Sequence, residues 1–262
     1  MSYDQQPIPV INDFKWEEVR KIRIEECGEP LVPLGLIPEK ILINPQYYIQ
    51  QIRGALPDCY IREGNLTRLI GIANKLPPGY RLLIFDAWRP GQVQNSLYMQ
   101  FYQELKRKFP TKKQRELEEL AERFIAPPSS APDFPSPHLT GGAIDLTIVD
   151  DQGKMLNMGT GFDQTDQKAL TSYYEELLIK GELSSEEKEI LDNRRLLYHL
   201  MSRAGFTNYP LEWWHYDFGN QNWAWMHQDS RDACYGGSSP YFRWRDDDLN
   251  QATEKDYISE IK

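Results

Sequence analysis

Along this chain apolar positions fall at two spacings. At Leu66, Leu69, Ile70 and Ala73 they recur every three to four residues, one face of a helix over about Arg62 to Lys75 that Pro77-Pro78-Gly79 ends. Tyr80 to Phe85 then forms a short β-rich run behind a turn, the pattern of a buried strand. It delivers Asp86-Ala87-Trp88-Arg89-Pro90 at its C-terminal end. A helix is predicted from about Gln92 to Lys108. Pro110 breaks it, and Thr111 can cap a second, highly charged helix to about Phe124, whose charges read as a solvated face. Ala143 to Val149 has the β-branched character of a strand closed by the turn Asp150-Asp151-Gln152-Gly153. Ser184 and Glu187 form a capping-box pattern that opens a helix to about Ala204, where Gly205 ends it. Glu212 to Phe218 reads as a final aromatic strand or strand edge.

Between these stretches the pattern weakens. Residues 1–40 are punctuated by Pro7, Pro9, Pro30, Pro33 and Pro38 and read as an extended arm with short strands, Trp16 to Ile24 among them. Ala126 to Pro137, rich in Pro and Ser, reads as a loop. Residues 219–262 are polar, aromatic and irregular, and are expected to wrap the domain as an extension packed on it. No internal repeat is present, and the motifs straddle most of the length, so residues 1–262 are expected to form a single α+β domain.

Composition narrows the function classes. With 40% hydrophobic residues and 12% aromatics the chain has ample material for a core, so general disorder is excluded. A formal net charge of -9 argues against a generic nucleic-acid binder, which needs a basic face, and no stretch approaches the ~20 apolar residues of a membrane span. The first thirty residues carry charges throughout and lack a signal-peptide run, which predicts a cytoplasmic protein; a removed leader would make it periplasmic instead. Cys27, Cys59 and Cys234 are scattered, odd in number and not in C-x-x-C spacing. They read as three ordinary reduced cysteines rather than a disulfide framework or a thiolate metal site.

Candidate chemistry concentrates in two segments, Ser136-Pro-His138-Leu-Thr-Gly-Gly-Ala-Ile-Asp145 and Glu212-Trp-Trp-His215. Together they hold two imidazoles, an aspartate and a spare glutamate: three protein ligands for a catalytic metal and a carboxylate to handle a proton. From the residues alone an ordinary loop with a satisfied histidine is an equally good account. His138 and Asp145 lie seven apart, so the Gly141-Gly142 turn has to bring them together. Glu212 and His215 lie three apart, opposite faces of a regular strand, so either Glu212 precedes the strand or a bulge intervenes. The helical H-E-x-x-H motif is absent. His199, among Leu196, Leu197 and Leu200, reads as a packed helix residue. His227 has no acidic partner at ligand-like spacing.

Ser136-x-His138-x6-Asp145 with Glu212-x-Trp214-His215 resembles the zinc D,D-peptidases, and within them the D-alanyl-D-alanine dipeptidases, the group that includes the vancomycin-resistance dipeptidase. Asp86-x-x-Arg89-Pro90, Met158-Gly159-x-x-Phe162-Asp163 and Asn193-Arg194-Arg195 extend the likeness in order from about Tyr47 to Phe218. The resemblance implies a small, mainly antiparallel sheet carrying one Zn²⁺ per chain, flanked by helices, with His138, Asp145 and His215 as metal ligands. It implies Glu212 as general base, Arg89 facing the scissile carbonyl oxygen, Ser136 as donor to the substrate carboxylate, and Asp163 as partner of its free ammonium. The expected reaction is hydrolysis of D-alanyl-D-alanine or a related D,D-dipeptide, with a small dipeptide as partner and no nucleic acid or membrane; oligomeric state is left open. A D,D- or L,D-carboxypeptidase acting on cell-wall peptides shares the metal set, and a non-catalytic zinc- or wall-peptide-binding module is the alternative from another class. One of Tyr47, Tyr48 and Tyr60 is expected to contribute a substrate contact. The chain departs from the short dipeptidases in its Lys106–Phe124 segment and in the more than forty residues after His215.

Overall fold

The computed structural model describes residues 6–11, 13–122 and 128–240. In chain order, helix α1 (Trp16–Val19) leads through an extended stretch into β1 (Leu31–Pro33), β2 (Ile41–Ile43), α2 (Gln46–Ile49), β3 (Tyr60–Arg62) and α3 (Glu63–Ala73). Next come β4 (Arg81–Asp86), α4 (Gly91–Lys108), α5 (Gln114–Ala121), the small hairpin β5 (Ser130–Ala131) and β6 (Phe134–Pro135), and β7 (Ala143–Val149). The chain continues through α6 (Tyr173–Lys180), α7 (Ser185–Arg203), β8 (Thr207–Asn208), β9 (His215–Asp217) and α8 (Gln221–His227).

The central sheet has the order β2-β4-β7-β9-β8, parallel at β2–β4 and antiparallel elsewhere. All seven residues of β7 are buried, because helices and loops cover both of its faces, and this explains its continuous apolar run. The core gathers Leu82 and Ile84 from β4 and Ile144, Leu146 and Ile148 from β7. Leu69 and Ile72 of α3 and Leu197, Leu200 and Met201 of α7 close over them. The chain is thus a mixed α+β domain with a mainly antiparallel sheet, as expected.

Several local expectations fail for identifiable reasons. Trp16–Ile24 is not a strand: Glu17 and Glu18 occupy the first turn of α1, where acidic residues favour a helix, and only Val19 is buried in that helix. Ile24 makes an isolated bridge to Ala233. Thr111 does not cap α5. The chain turns first, Lys112 N donating to Phe109 O, and the helix opens at Lys113, whose N–H is taken by the Glu116 carboxylate at 2.9 Å. The helix ends at Ala121, and the expectation as far as Phe124 lies outside the described residues. The final strand is confined to His215–Asp217. The segment after it contains α8, a short helix capped by Asn220, whose side chain accepts from Trp223 N at 3.0 Å. The rest of that expectation, residues 241–262, lies outside the described residues.

Candidate active site and metal centre

Three strands end in line. Asp86 of β4 pairs with Asp145 of β7, which pairs with His215 of β9. Directly opposed residues of antiparallel strands hold their Cβ atoms about 5 Å apart, so the register alone brings Asp145 and His215 together. A register shift between Ile84 and Asp86 re-aims the end of β4 toward the same point.

His138 arrives from a different direction, on a single 3₁₀ turn, Pro137–Thr140. Proline at its first position fits a turn start, and the Thr140 hydroxyl donates to Pro137 O at 2.6 Å while accepting from Gly142 N. Gly141 has φ +67°, and a Cβ there would stand 2.2 Å from Leu31 Cδ2. Only glycine lets the chain reverse that tightly under β1. Arg62, almost fully buried, donates through Nε to Thr140 O at 2.7 Å and through its other nitrogens to Glu29 O, Gly236 O and the Glu26 carboxylate. The turn is therefore fastened to both the N-terminal arm and the C-terminal segment.

The three candidate ligand atoms converge. His215 Nδ1 lies 3.0 Å from Asp145 Oδ1, His138 Nε2 lies 3.4 Å from Asp145 Oδ2, and the two imidazole nitrogens are 3.2 Å apart. Ligand bonds of ~2.0–2.1 Å at tetrahedral angles give edges of about 3.3 Å, and the imidazole pair and the contacts made by the two separate Asp145 oxygens are all near that length. The remaining ring nitrogens fix the tautomers. His138 Nδ1 donates to Ala87 O at 2.6 Å, leaving Nε2 as the lone-pair atom; His215 Nε2 donates to Asp217 Oδ2 at 3.1 Å, leaving Nδ1. Asp217 is buried in turn and accepts from Asn220 and Asn222 side chains.

Glu212 precedes β9, the first of the two arrangements its spacing allowed. Asn208 donates through Nδ2 to both Glu212 O and His215 O, and His215 N donates to Glu212 O. This folds residues 212–215 into a turn that places Glu212 Oε2 3.8 Å from His215 Nδ1. Arg89 reaches the same cavity from beyond β4. Asp86 Oδ2 holds its Nε at 2.8 Å, Gln94 Oε1 holds Nη1 at 2.7 Å, and Nη2 lies 3.3 Å from Tyr47 Oη and 3.4 Å from Asp145 Oδ2. Of the three tyrosines considered, Tyr47 stands at the site: its hydroxyl donates to Asp163 Oδ2 at 3.0 Å.

Asp163 is delivered by a loop that wraps Phe162 against Phe85, Tyr47 and Trp214. Arg194 secures that loop by donating to the carbonyls of Met158, Lys168 and Leu170, and Asn193 secures Asn157. Gly159, at φ +84°, lies where a Cβ would be 2.1 Å from Tyr174 Oη. The Asn193-Arg194-Arg195 motif is thus scaffolding: Arg195 pairs with Glu175, which also accepts from Ile8 N of the arm. His199 Nε2 donates to Gln6 O and takes no part in the site. Ser136 is buried at the start of the metal turn, its hydroxyl accepting from Ser129 N at 2.9 Å and donating to Ser129 O at 3.2 Å.

The cavity of about 340 Å³ is lined by His138, Asp145, His215, Glu212, Arg89 and Asp163, with Tyr47, Trp16, Leu97 and Phe101 among its further walls. Its charge balance is lopsided: Asp145, Asp163 and Glu212 line it beside the one guanidinium of Arg89, which already pairs with Asp86, and Asp217 stands behind His215. Burial alone would raise the Asp145 carboxyl, but His138 and His215 hold it well below the usual carboxylate range. Glu212 and Asp163 lack such compensation. Burial pushes Glu212 up to about 8 and Asp163 up to about 7, partly offset by His215 and Arg89 respectively. Arg89 is driven above its ordinary value: burial opposes its charge, but Asp86 and neighbouring anions outweigh that. A divalent cation at the His138–Asp145–His215 triangle fits both the donor geometry and the uncompensated negative charge.

The sheet and this donor set define the class of protein, a metallopeptidase. Residues 65–233 match the family model for D-ala-D-ala dipeptidase. The chain is 34% identical over 235 residues to a D-alanyl-D-alanine dipeptidase of Synechocystis sp., covering 82% of this chain and 94% of that one. It is 31% identical over 150 residues to a D-alanyl-D-alanine dipeptidase of Enterococcus faecium, 53% of this chain and 62% of that one. To a D-alanyl-D-alanine dipeptidase of Escherichia coli K12 it is 29% identical over 164 residues, 61% of this chain and 66% of that one. The chain belongs to the D-ala-D-ala dipeptidase family of metal-dependent peptidases. No helix among the described residues is long and apolar enough to cross a membrane.

Sequence reasoning did not find Asp217, Gln94 or Asn208. Asp217 was the most findable, since it lies two residues from His215 on the same strand and so on the same face.

Proposed function

We propose that this chain is a zinc-dependent dipeptidase that hydrolyses D-alanyl-D-alanine, or a closely related D,D-dipeptide, to free D-amino acids. The observation that carries the proposal is the meeting, in one cavity, of the converging His138–Asp145–His215 set with Glu212 and Arg89.

Zinc held by His138 Nε2, Asp145 and His215 Nδ1 would act as a Lewis acid, lowering the pKa of water toward ~7 and polarising the scissile carbonyl. Glu212 takes the proton of the attacking water and returns it to the leaving amine. Its raised pKa suits both transfers near neutral pH, and a dication beside it favours the carboxylate form needed for the first. Arg89, pre-positioned by Asp86 and Gln94, offers its charge to the oxygen on which negative charge develops. Asp163 with Tyr47 Oη receives the substrate ammonium. An acylated or longer peptide would leave that buried carboxylate without its cation, which selects for dipeptides over wall peptides with blocked amines. Ser136, at the start of the turn that carries His138, is the proposed partner of the substrate carboxylate.

The test is release of ninhydrin-detectable D-alanine from D-alanyl-D-alanine, before and after chelation and after zinc is restored, with an N-acylated D,D-peptide as control. Zinc-dependent turnover of the free dipeptide alone is expected. Absence of metal-dependent turnover on every D,D-dipeptide refutes the proposal, and equal turnover of the acylated peptide moves it to a carboxypeptidase.

A further inference from the structure

The N-terminal arm and the C-terminal segment meet behind the turn that carries His138, and each brings a cysteine. Glu25 N donates to Ala233 O at 2.8 Å, Ala233 N to Arg23 O at 2.9 Å, and Cys27 N to Cys234 O at 3.0 Å. Backbones paired in this way run about 5 Å apart, which puts the two α-carbons within the ~4.4–6.8 Å window that a disulfide spans. Cys27 is exposed and open to an incoming reagent, whereas Cys234 is partly covered. Burial pushes the Cys234 thiol up to about 11, with the nearby Cys27, Glu29 and Glu26 adding in the same sense. Cys59 is buried among the core residues under β3.

We infer that Cys27 and Cys234 form an oxidisable pair, closed by a low-molecular-weight disulfide, whose cross-link clasps the N-terminal arm to the C-terminal segment. The reaction is thiol–disulfide exchange. The Cys27 thiolate attacks one sulfur of the small disulfide and expels one thiol. The Cys234 thiolate then attacks the Cys27 sulfur of the mixed disulfide and expels the second. Two thiols are oxidised to one disulfide, one disulfide is reduced to two thiols, and the two protons pass to the departing thiols. The clasp lies one residue from Glu26 and two from Glu29, the residues that grip Arg62, and beside Gly236, whose carbonyl Arg62 also holds. Closing it ties together the arm and tail that flank the Thr140 carbonyl.

The test treats the metal-loaded full chain with oxidised glutathione, then counts free thiols and maps non-reduced peptides by mass. The expected result is loss of the Cys27 and Cys234 thiols, a peptide pair joined through them, and Cys59 still free. The unfolding midpoint should rise by roughly 5–10 °C over the reduced protein. Cys27→Ser, at an exposed position, should fold normally and show neither the cross-link nor the rise. A persistent glutathione adduct at Cys27, or three free thiols after oxidation, overturns the pairing. An unchanged midpoint in cross-linked protein overturns the clasp.

Discussion

Asp217→Asn isolates the support of one proposed metal ligand, His215. Asp217 is buried, accepts from His215 Nε2 at 3.1 Å, and is itself held by Asn220 and Asn222. As a carboxylate it can only accept, so it fixes the proton on Nε2 and the lone pair on Nδ1, the atom 3.0 Å from Asp145. An asparagine of the same size can turn its NH₂ toward Nε2, since its oxygen is sought by two neighbouring amide donors. The imidazole then carries its proton on Nδ1 and cannot ligate in that form. Loss of such outer support costs 10–100-fold in metal affinity, about 1.4–2.7 kcal/mol. The measurement is a zinc Kd by chelator competition, alongside kcat at limiting and saturating zinc and a thermal melt. The expected variant binds zinc 10–100-fold more weakly, is deficient at limiting zinc, and recovers to within a few-fold at saturation. Wild-type zinc affinity in a folded variant would refute the reasoning, as would activity lost at saturating zinc with affinity unchanged.

Other perturbations separate the remaining roles. Glu212→Gln should keep zinc bound while kcat falls by about 10²–10⁴; turnover within a few-fold of wild type would remove Glu212 from the proton transfers. Arg89→Met should lower kcat by roughly 10²–10³, and a change confined to KM would assign Arg89 to ground-state binding instead. Arg194→Leu leaves the carbonyls of Met158, Lys168 and Leu170 without their donor. It should destabilise by ~2–4 kcal/mol in urea titration and raise KM for the dipeptide as the Asp163 loop loosens; wild-type values for both would contradict the anchoring role. In the metal-free protein, Glu212 (about 8) and Asp163 (about 7) keep protons that the unfolded chain releases near pH 4. His215, whose ordinary burial penalty is outweighed by Asp217 and Asp145, acts in the same sense. The folded state therefore binds more protons than the unfolded state, and stability falls as pH rises from 5 to 8. The lowered Asp145 titrates below that window. The melting temperature of metal-free protein should drop across it and recover on adding zinc at pH 8, and a flat or rising curve before zinc would count against the site's electrostatics.

Where one face of an element is dictated by packing, the sequence was informative: Ala143–Val149 and the helix opened at Ser184 lie where their patterns put them, because burial and a capping box act within a few residues. Trp16–Ile24 departs from the strand its pattern predicts because its apolar residues belong to different partners. Trp16 joins an aromatic cluster with Phe14 and Tyr209, Val19 enters the interior, and Ile24 bridges to Ala233 some two hundred residues away. No local pattern encodes such a division. The same limit held at the site. His138, Asp145, Glu212 and His215 were nameable from composition and family likeness, but their approach depends on the β7–β9 register and on Asn208 pinning a turn. The choice of Tyr47 over Tyr48 and Tyr60 came from tertiary contacts with Asp163 and Arg89. Of the Lys106–Phe124 segment, the described helix α5 forms a satellite: Leu117 and Ala121 pack on Leu105 of α4, away from the main core.

Arg62 has a consequence for the order of biosynthesis. One of its guanidinium nitrogens waits for Gly236 O, and the ligand set waits for His215. A ribosome delivering this chain from its N-terminus releases His138 and Asp145 long before the third ligand, and the fastening of the metal turn later still. The nascent chain can shelter no complete His138–Asp145–His215 cluster until His215 has emerged, and the turn carrying His138 is not fully fastened until Gly236 follows.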